Sequence, residues 1–90
     1  MTDTRMVRLE QIAAGPFNYD AQRLASLENL TRISMKLGLG EPMIKVKQVG
    51  DVTGGDVFEP SNCLEATLLE ALRRCVTSVR HLVQVEVVNG

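Results

Sequence analysis

The stretch from Pro60 to Leu82, PSNCLEATLLEALRRCVTSVRHL, decides the fold. Leu64, Leu68, Leu72, Cys75, Val79 and Leu82 recur at spacings of three and four, which lines them along one face of an α-helix. Asn62 followed by Glu65 has the spacing of a capping box. Glu65 and Glu70 stand early while Arg73, Arg74, Arg80 and His81 stand late, the order that the helix dipole favours. Glu70 also reaches Arg74 at i,i+4. The expectation is one helix through this stretch, with its apolar stripe, Cys75 included, in the core.

Two further segments alternate with period two. In Met43–Val49, Ile44, Val46 and Gln48 face one way and Lys45 and Lys47 the other; near the end Val83, Val85 and Val87 alternate with Gln84 and Glu86. Both read as strands, and Val57-Phe58 reads as a short returning strand after the turn signal Gly54-Gly55. Residues 1–14 admit two readings. Val7, Leu9 and Gln11 make one side of a strand, whereas Met6, Leu9 and Ile12 or Ala13 make one face of a helix that would exit at Gly15-Pro16. The strand reading is preferred because a two-stranded sheet is marginal alone.

Between Asp20 and Leu37 lies a second helix. Asp20 is its expected N-cap, Tyr19 and Leu24 form a hydrophobic staple, and Gly38-Leu39-Gly40 stops it. Its apolar residues Leu24, Leu27, Leu30, Ile33 and Leu37 cover about half the circumference, more than the ~100° stripe of an ordinary surface helix. Such a helix touches two things: a sheet, and either the other helix or a partner subunit. Leu27, Leu30, Ile33 and Leu37, with Phe17 and Tyr19 in the preceding turn, are the candidate interface residues. For Phe17 burial is the favoured reading, with Tyr19 half exposed.

The order β-α-β-(β)-α-β places two helices on a three- to four-stranded sheet, a small α+β two-layer sandwich of the split-βαβ kind. The 90 residues make a single domain, 1–90. A chain this short buries only roughly 60–65% of its unfolded surface. Its aromatics are Phe17, Tyr19 and Phe58, so the core is aliphatic, and self-association is a common remedy for so small a core. The expected partner is therefore a second copy, a dimer first, with a further protein partner as an option.

Composition narrows the function classes. A net charge of −1 with both signs interspersed argues against nucleic acid as partner, and no apolar run is long enough for a membrane span. The start, MTDTRMVRLEQ, lacks the apolar core of a secretory signal, which makes the cytoplasm the default location. Cys63 and Cys75, twelve residues apart on one helix, would be about 18 Å apart and unable to pair, which fits a reducing compartment.

Each group that could carry chemistry has a plainer reading beside it. Arg73, Arg74, Arg80 and His81 gather within about 120° on the helical wheel and form a candidate anion-binding cluster. The plainer reading is a solvated face with bases placed to suit the dipole, partly neutralised by Glu70. The acidic residues Asp51, Asp56, Glu59, Glu65 and Glu70 match no calcium-loop spacing, so no metal is expected. Gly50 to Asp56 has acid where a phosphate loop needs a base, so no nucleotide or other cofactor is expected. Cys63 sits in a first helical turn, where the dipole lowers a thiol's pKa, but Glu59 and Glu65 oppose that. His81, some 18 residues along the same helix, would be about 27 Å away. No catalytic signature is present, and neither Ile44–Val49 nor Val83–Val88 carries an aromatic for stacking RNA bases. The leading reading is a small non-enzymatic interaction or regulatory module, homo-oligomeric. The alternative is a protein that binds a small anionic ligand, or a small oligomeric enzyme, with its site at a subunit interface.

Overall fold

A computed structural model describes residues 3–52 and 55–88. The elements are β1 (Asp3–Arg8), a single 3-10 turn (Leu9–Gln11), α1 (Ala21–Lys36), β2 (Ile44–Val52), β3 (Gly55–Pro60), α2 (Cys63–Cys75) and β4 (Leu82–Val87). The strands form one mixed sheet in the order β1-β4-β2-β3. The two helices cover one face of it. The start of the chain is thus a strand, as preferred, continued by a 3-10 turn. The turn expected at Gly54-Gly55 lies in its first half outside the described residues, and Gly55 opens β3.

Strands β1 and β4 pair antiparallel, β4 and β2 parallel, and β2 and β3 antiparallel. Each helix therefore joins two strands that have a third between them: β4 separates β1 from β2, and β2 separates β3 from β4. The joined strands run in opposite directions. Alternation fixes the register, because a slip of one residue would turn the valines to water. Val7 lies opposite Val83, Ile44 opposite Val85, and Val46 opposite both Val87 and Pro60. All of these are buried, while Lys45, Lys47, Met6 and Gln84 on the other side of the pleat are exposed. A register shift between Gln48 and Gly50 interrupts β2 as it pairs with β3.

Beyond β1 the chain crosses to the opposite edge of the sheet. Ile12 bridges Phe58 of β3 in parallel, and the Ala13 N–H donates to the Phe58 carbonyl (2.8 Å). Arg5 of β1 also reaches Asp56 of β3 (3.5 Å) and lies 6.0 Å from the centre of the Phe58 ring. The two sheet edges are thereby tied together around Phe58, which is fully buried with Ile12, Ile44, Val46, Leu72, Val83 and Val85.

Both helix starts follow their sequence signals. The Asp20 carboxylate accepts from the Gln22 and Arg23 N–H groups, and Asn62 Oδ1 accepts from the Glu65 N–H (3.0 Å). Gly38 closes α1 with φ +74°, its N–H bonded to the Met35 carbonyl and that of Leu39 to the Ser34 carbonyl. This 6→1 and 5→2 pair is a Schellman motif, which needs a residue without Cβ strain at that point.

Helix α2 ends at Cys75 and does not continue to Leu82. Val76 is already extended (φ −115°, ψ 156°), and the next two residues, Thr77 and Ser78, have weak helix propensity. The strand side competes for the backbone beyond. The Val79 and His81 carbonyls accept from the Glu10 (2.8 Å) and Leu9 (2.9 Å) N–H groups, extending the β1–β4 ladder. The apolar stripe also differs from the sequence expectation: Leu64, Val79 and Leu82 are exposed. Leu72 of the expected stripe is buried and Leu68 packs against the core, and the other buried residues are Ala66, Thr67, Leu69, Ala71 and Glu65. These residues surround much of α2 because it has sheet on one side and α1 on the other. Helix α1 packs chiefly along α2 and reaches the sheet core through Met35.

Candidate functional site

The basic residues at the end of α2 are drawn to different neighbours. Arg74 donates to Glu70 (3.0 Å), lies 3.9 Å from a Glu28 oxygen, and sits 5.9 Å from the centre of the Tyr19 ring. The hydrogen bond to Glu70 is the main cause of its raised pKa. Arg73 turns the other way, and its Nη2 donates to the Ile12 carbonyl (2.8 Å). Arg80 and His81 lie beyond the helix end. Arg80 is exposed, and His81 Nε2 is hydrogen-bonded to Glu41 Oε1 from the loop before β2. A shared helical face for all four residues required the helix to continue to Leu82. With the helix ending at Cys75, that shared face is lost.

The thiols are likewise separate. Cys63 is exposed in the first turn of α2, and Cys75 is half-buried with its sulfur 3.7 Å from the Glu28 carbonyl oxygen; both are free. Among the described residues no group of three His, Cys, Asp or Glu side chains could hold a metal ion. No helix among them is long and apolar enough to cross a membrane.

The outer face of α1 is the largest departure from ordinary surface chemistry. Its inner face packs against α2 through Leu24 and Thr31, with Leu27 half-buried beside them. On the opposite side Leu30, Ile33 and Leu37 are 61%, 54% and 66% exposed. Their i, i+3, i+7 spacing makes one continuous strip along the helix. A groove runs beside it between Leu27, Leu30 and Ser34 of α1, the Leu39–Pro42 segment, and Leu68 of α2. Leu39 stands exposed at its rim. Phe17, expected inside, is 37% exposed, in a run (13–20) whose residues are all exposed, and Tyr19 is half exposed as expected. Both lie at the N-terminal end of α1, where Tyr19 is engaged with Arg74.

Two further features were not foreseen. The first is Glu65, which is only 6% exposed and has Oε2 without a hydrogen-bond partner. Burial pushes its pKa up; the Lys45 backbone and ammonium oppose this, and the Glu86 charge adds to it. The sequence signal existed. Glu65, Leu69 and Leu72 are spaced i, i+4, i+7, which marks the sheet-facing line of α2. The second is a hollow of about 480 Å³ where the 3-10 turn meets the end of α2. Leu9, Ile12, Ala13, Val76 and Val79 wall it, and Arg73, Thr77 and Ser78 stand among them. No short motif announces it, because its walls come from segments about sixty residues apart in the chain.

Comparison of this chain with protein-family models, with curated proteins and with solved structures finds no match in any of the three.

Proposed function

We propose that this protein is a non-enzymatic interaction module that works as a homodimer, joined through the outer face of α1. The observation that carries the reading is the exposed strip Leu30, Ile33, Leu37 on a helix whose other face is already covered. Apolar side chains of this size each lose roughly 1.5–3 kcal/mol of favourable transfer energy when left in water. A second copy is the occupant that the strip suits best. Leu30 and Leu37 lie symmetrically about Ile33 and Ser34, so two α1 helices packed antiparallel about a two-fold axis set each leucine against its counterpart's opposite end. The three-four spacing is that of a coiled-coil seam, and Ser26 and Ser34 beside it are small enough for close approach. The nearest acid–base pair, Glu28 with Arg32 (3.3 Å), is satisfied within the helix and leaves the strip uncharged.

Analytical ultracentrifugation between about 1 and 100 μM, the range in which association of this strength would be read, tests the reading. Wild type is expected to dimerise with rising concentration and Ile33→Asp to stay monomeric with an unchanged circular dichroism spectrum. A wild type that is monomeric throughout, or an Ile33→Asp variant that dimerises as well as wild type, would overturn it.

A further inference from the structure

We infer that the hollow between the 3-10 turn and the end of α2 is a binding site for a small aliphatic monocarboxylate, with Arg73 receiving the carboxylate. The site is separate from the α1 face and does not rest on the proposal made for it. Its volume of about 480 Å³ lies within the range of small-molecule pockets. Its floor is Leu9 and Ile12, both part of the hydrophobic core, and Val76 and Val79 continue the apolar wall outward. An alkyl chain laid there covers Val79, which is otherwise exposed.

Arg73 supplies the polar end. It is half-buried, and among the described residues no carboxylate lies within ion-pair distance of it. Its partner is the Ile12 carbonyl, which takes one hydrogen of Nη2. A guanidinium has five N–H donors on three nitrogens. Whichever Nη2 hydrogen Ile12 takes, one two-donor edge stays open, and that edge matches the two oxygens of a carboxylate. The bond to Ile12 also holds the group in place before anything binds. Thr77 and Ser78 add hydroxyls at the rim, and the acid on that rim, Glu10, has its charge offset by Arg8 (2.8 Å).

The backbone around the hollow is fixed. Glu10 N–H donates to Val79, Leu9 N–H to His81, and Ala13 N–H to Phe58, at 2.8–2.9 Å. Little ordering is therefore left to do on binding. The helix dipole works against the anion, because the hollow lies at the carbonyl end of α2. Binding thus depends on Arg73 and on the apolar wall together, which separates this site from a general attraction of anions to basic residues.

Octanoate is a suitable probe, with octanamide as its neutral counterpart, and amide ¹H–¹⁵N shifts as the readout. Octanoate is expected to saturate, to shift the amides of Leu9, Ala13, Thr77 and Val79, and to bind about tenfold tighter than octanamide, as loss of a charge-assisted bidentate contact implies. Arg73→Gln is expected to remove that tenfold preference. Ala13→Trp, which fills the hollow without altering Arg73, is expected to abolish binding of both. Equal binding of acid and amide by wild type, shifts centred on Lys45 and Lys47, or undiminished octanoate binding by Ala13→Trp would each overturn the assignment. Should Arg73→Gln fail to fold, the Ala13→Trp result and the acid–amide ratio decide the matter without it.

Discussion

The two helices differ in how their surfaces are used. Helix α2 is enclosed: the sheet holds one side, α1 the other, and even its alanines, Ala66 and Ala71, are buried. Helix α1 is longer, yet it buries only Leu24 and Thr31 and shows Leu30, Ile33 and Leu37 to water. A sequence of leucines at helical spacing therefore does not say which helix is central. Small residues say it better, because Ala71 and Thr67 let α1 approach α2 where leucines would hold it off. Helix α2 gives Leu69 and Leu72 to the core shared with the sheet, while α1 leaves an apolar face exposed.

The largest test of that contrast is a pair of truncations. Leu72→Ala, in the fully buried line of α2, is expected to cost about 2–5 kcal/mol in urea unfolding. Leu37→Ala, made at a concentration low enough to keep the chain monomeric, is expected to change stability by less than about 0.5 kcal/mol. Comparable losses at both positions would break the contrast between the helices.

Next in size is Glu65, the polar member of α2's sheet-facing line. Its carboxyl is raised above the ordinary value of 4.5 by burial. Between 4.5 and the raised value the folded state holds a proton that the unfolded state has released, so stability falls as pH rises through that window. Glu65→Gln, which has no charge to bury, is therefore expected to stabilise the protein at neutral pH. The gain should disappear below about pH 4.5, where the wild-type carboxyl is protonated in both states. Unfolding midpoints of the two proteins measured across pH check both the sign and the window.

A smaller effect is expected at the seam between the helices. The Thr67 hydroxyl donates to the Cys63 carbonyl (2.8 Å) and accepts from the Asp20 N–H (2.9 Å), which ties the N-cap of α1 to the first turns of α2. Thr67→Val keeps the shape and removes both bonds, for a loss of about 1 kcal/mol. Hydrogen exchange should show the first turn of α1 opening more readily in this variant. The least effect belongs to the exposed pair Arg74–Glu70, and whatever difference Arg74→Ala makes is expected to vanish at molar salt.

These contrasts also mark what could be read from the sequence. The helix starts were legible because capping is local: Asp20 and Asn62 bond to backbone within three residues. The strands were legible because alternation is local too. The end of α2 was not, since the spacing Leu72, Cys75, Val79, Leu82 continues through a boundary set by Leu9 and Glu10, residues from the other end of the chain. The Arg73–His81 cluster depended on that boundary and dispersed with it. The excess apolar width of α1 was visible on the wheel and is there in the structure. The inward turn of Glu65 was hidden behind its position in a capping box, of which the Asn62 half forms. The hollow by Arg73 needed three-dimensional information, because a 3-10 turn and a helix end meet there only after folding.

The place of β4 between β1 and β2 has a consequence for how the chain reaches this form. It is made after every other strand described, yet it sits inside the sheet and gives β1 its only strand-long pairing. On the ribosome, β2, β3 and α2 emerge with neighbours at hand, while β1 waits through more than seventy residues of synthesis for its mate. During that interval β1 exposes Val7 and its hydrogen-bonding edge, the kind of segment that pairs wrongly with other chains. Closure of such long-range contacts also slows folding. The charged side chains that flank Val7 in β1, Arg5 and Arg8, stand where gatekeepers against aggregation are placed.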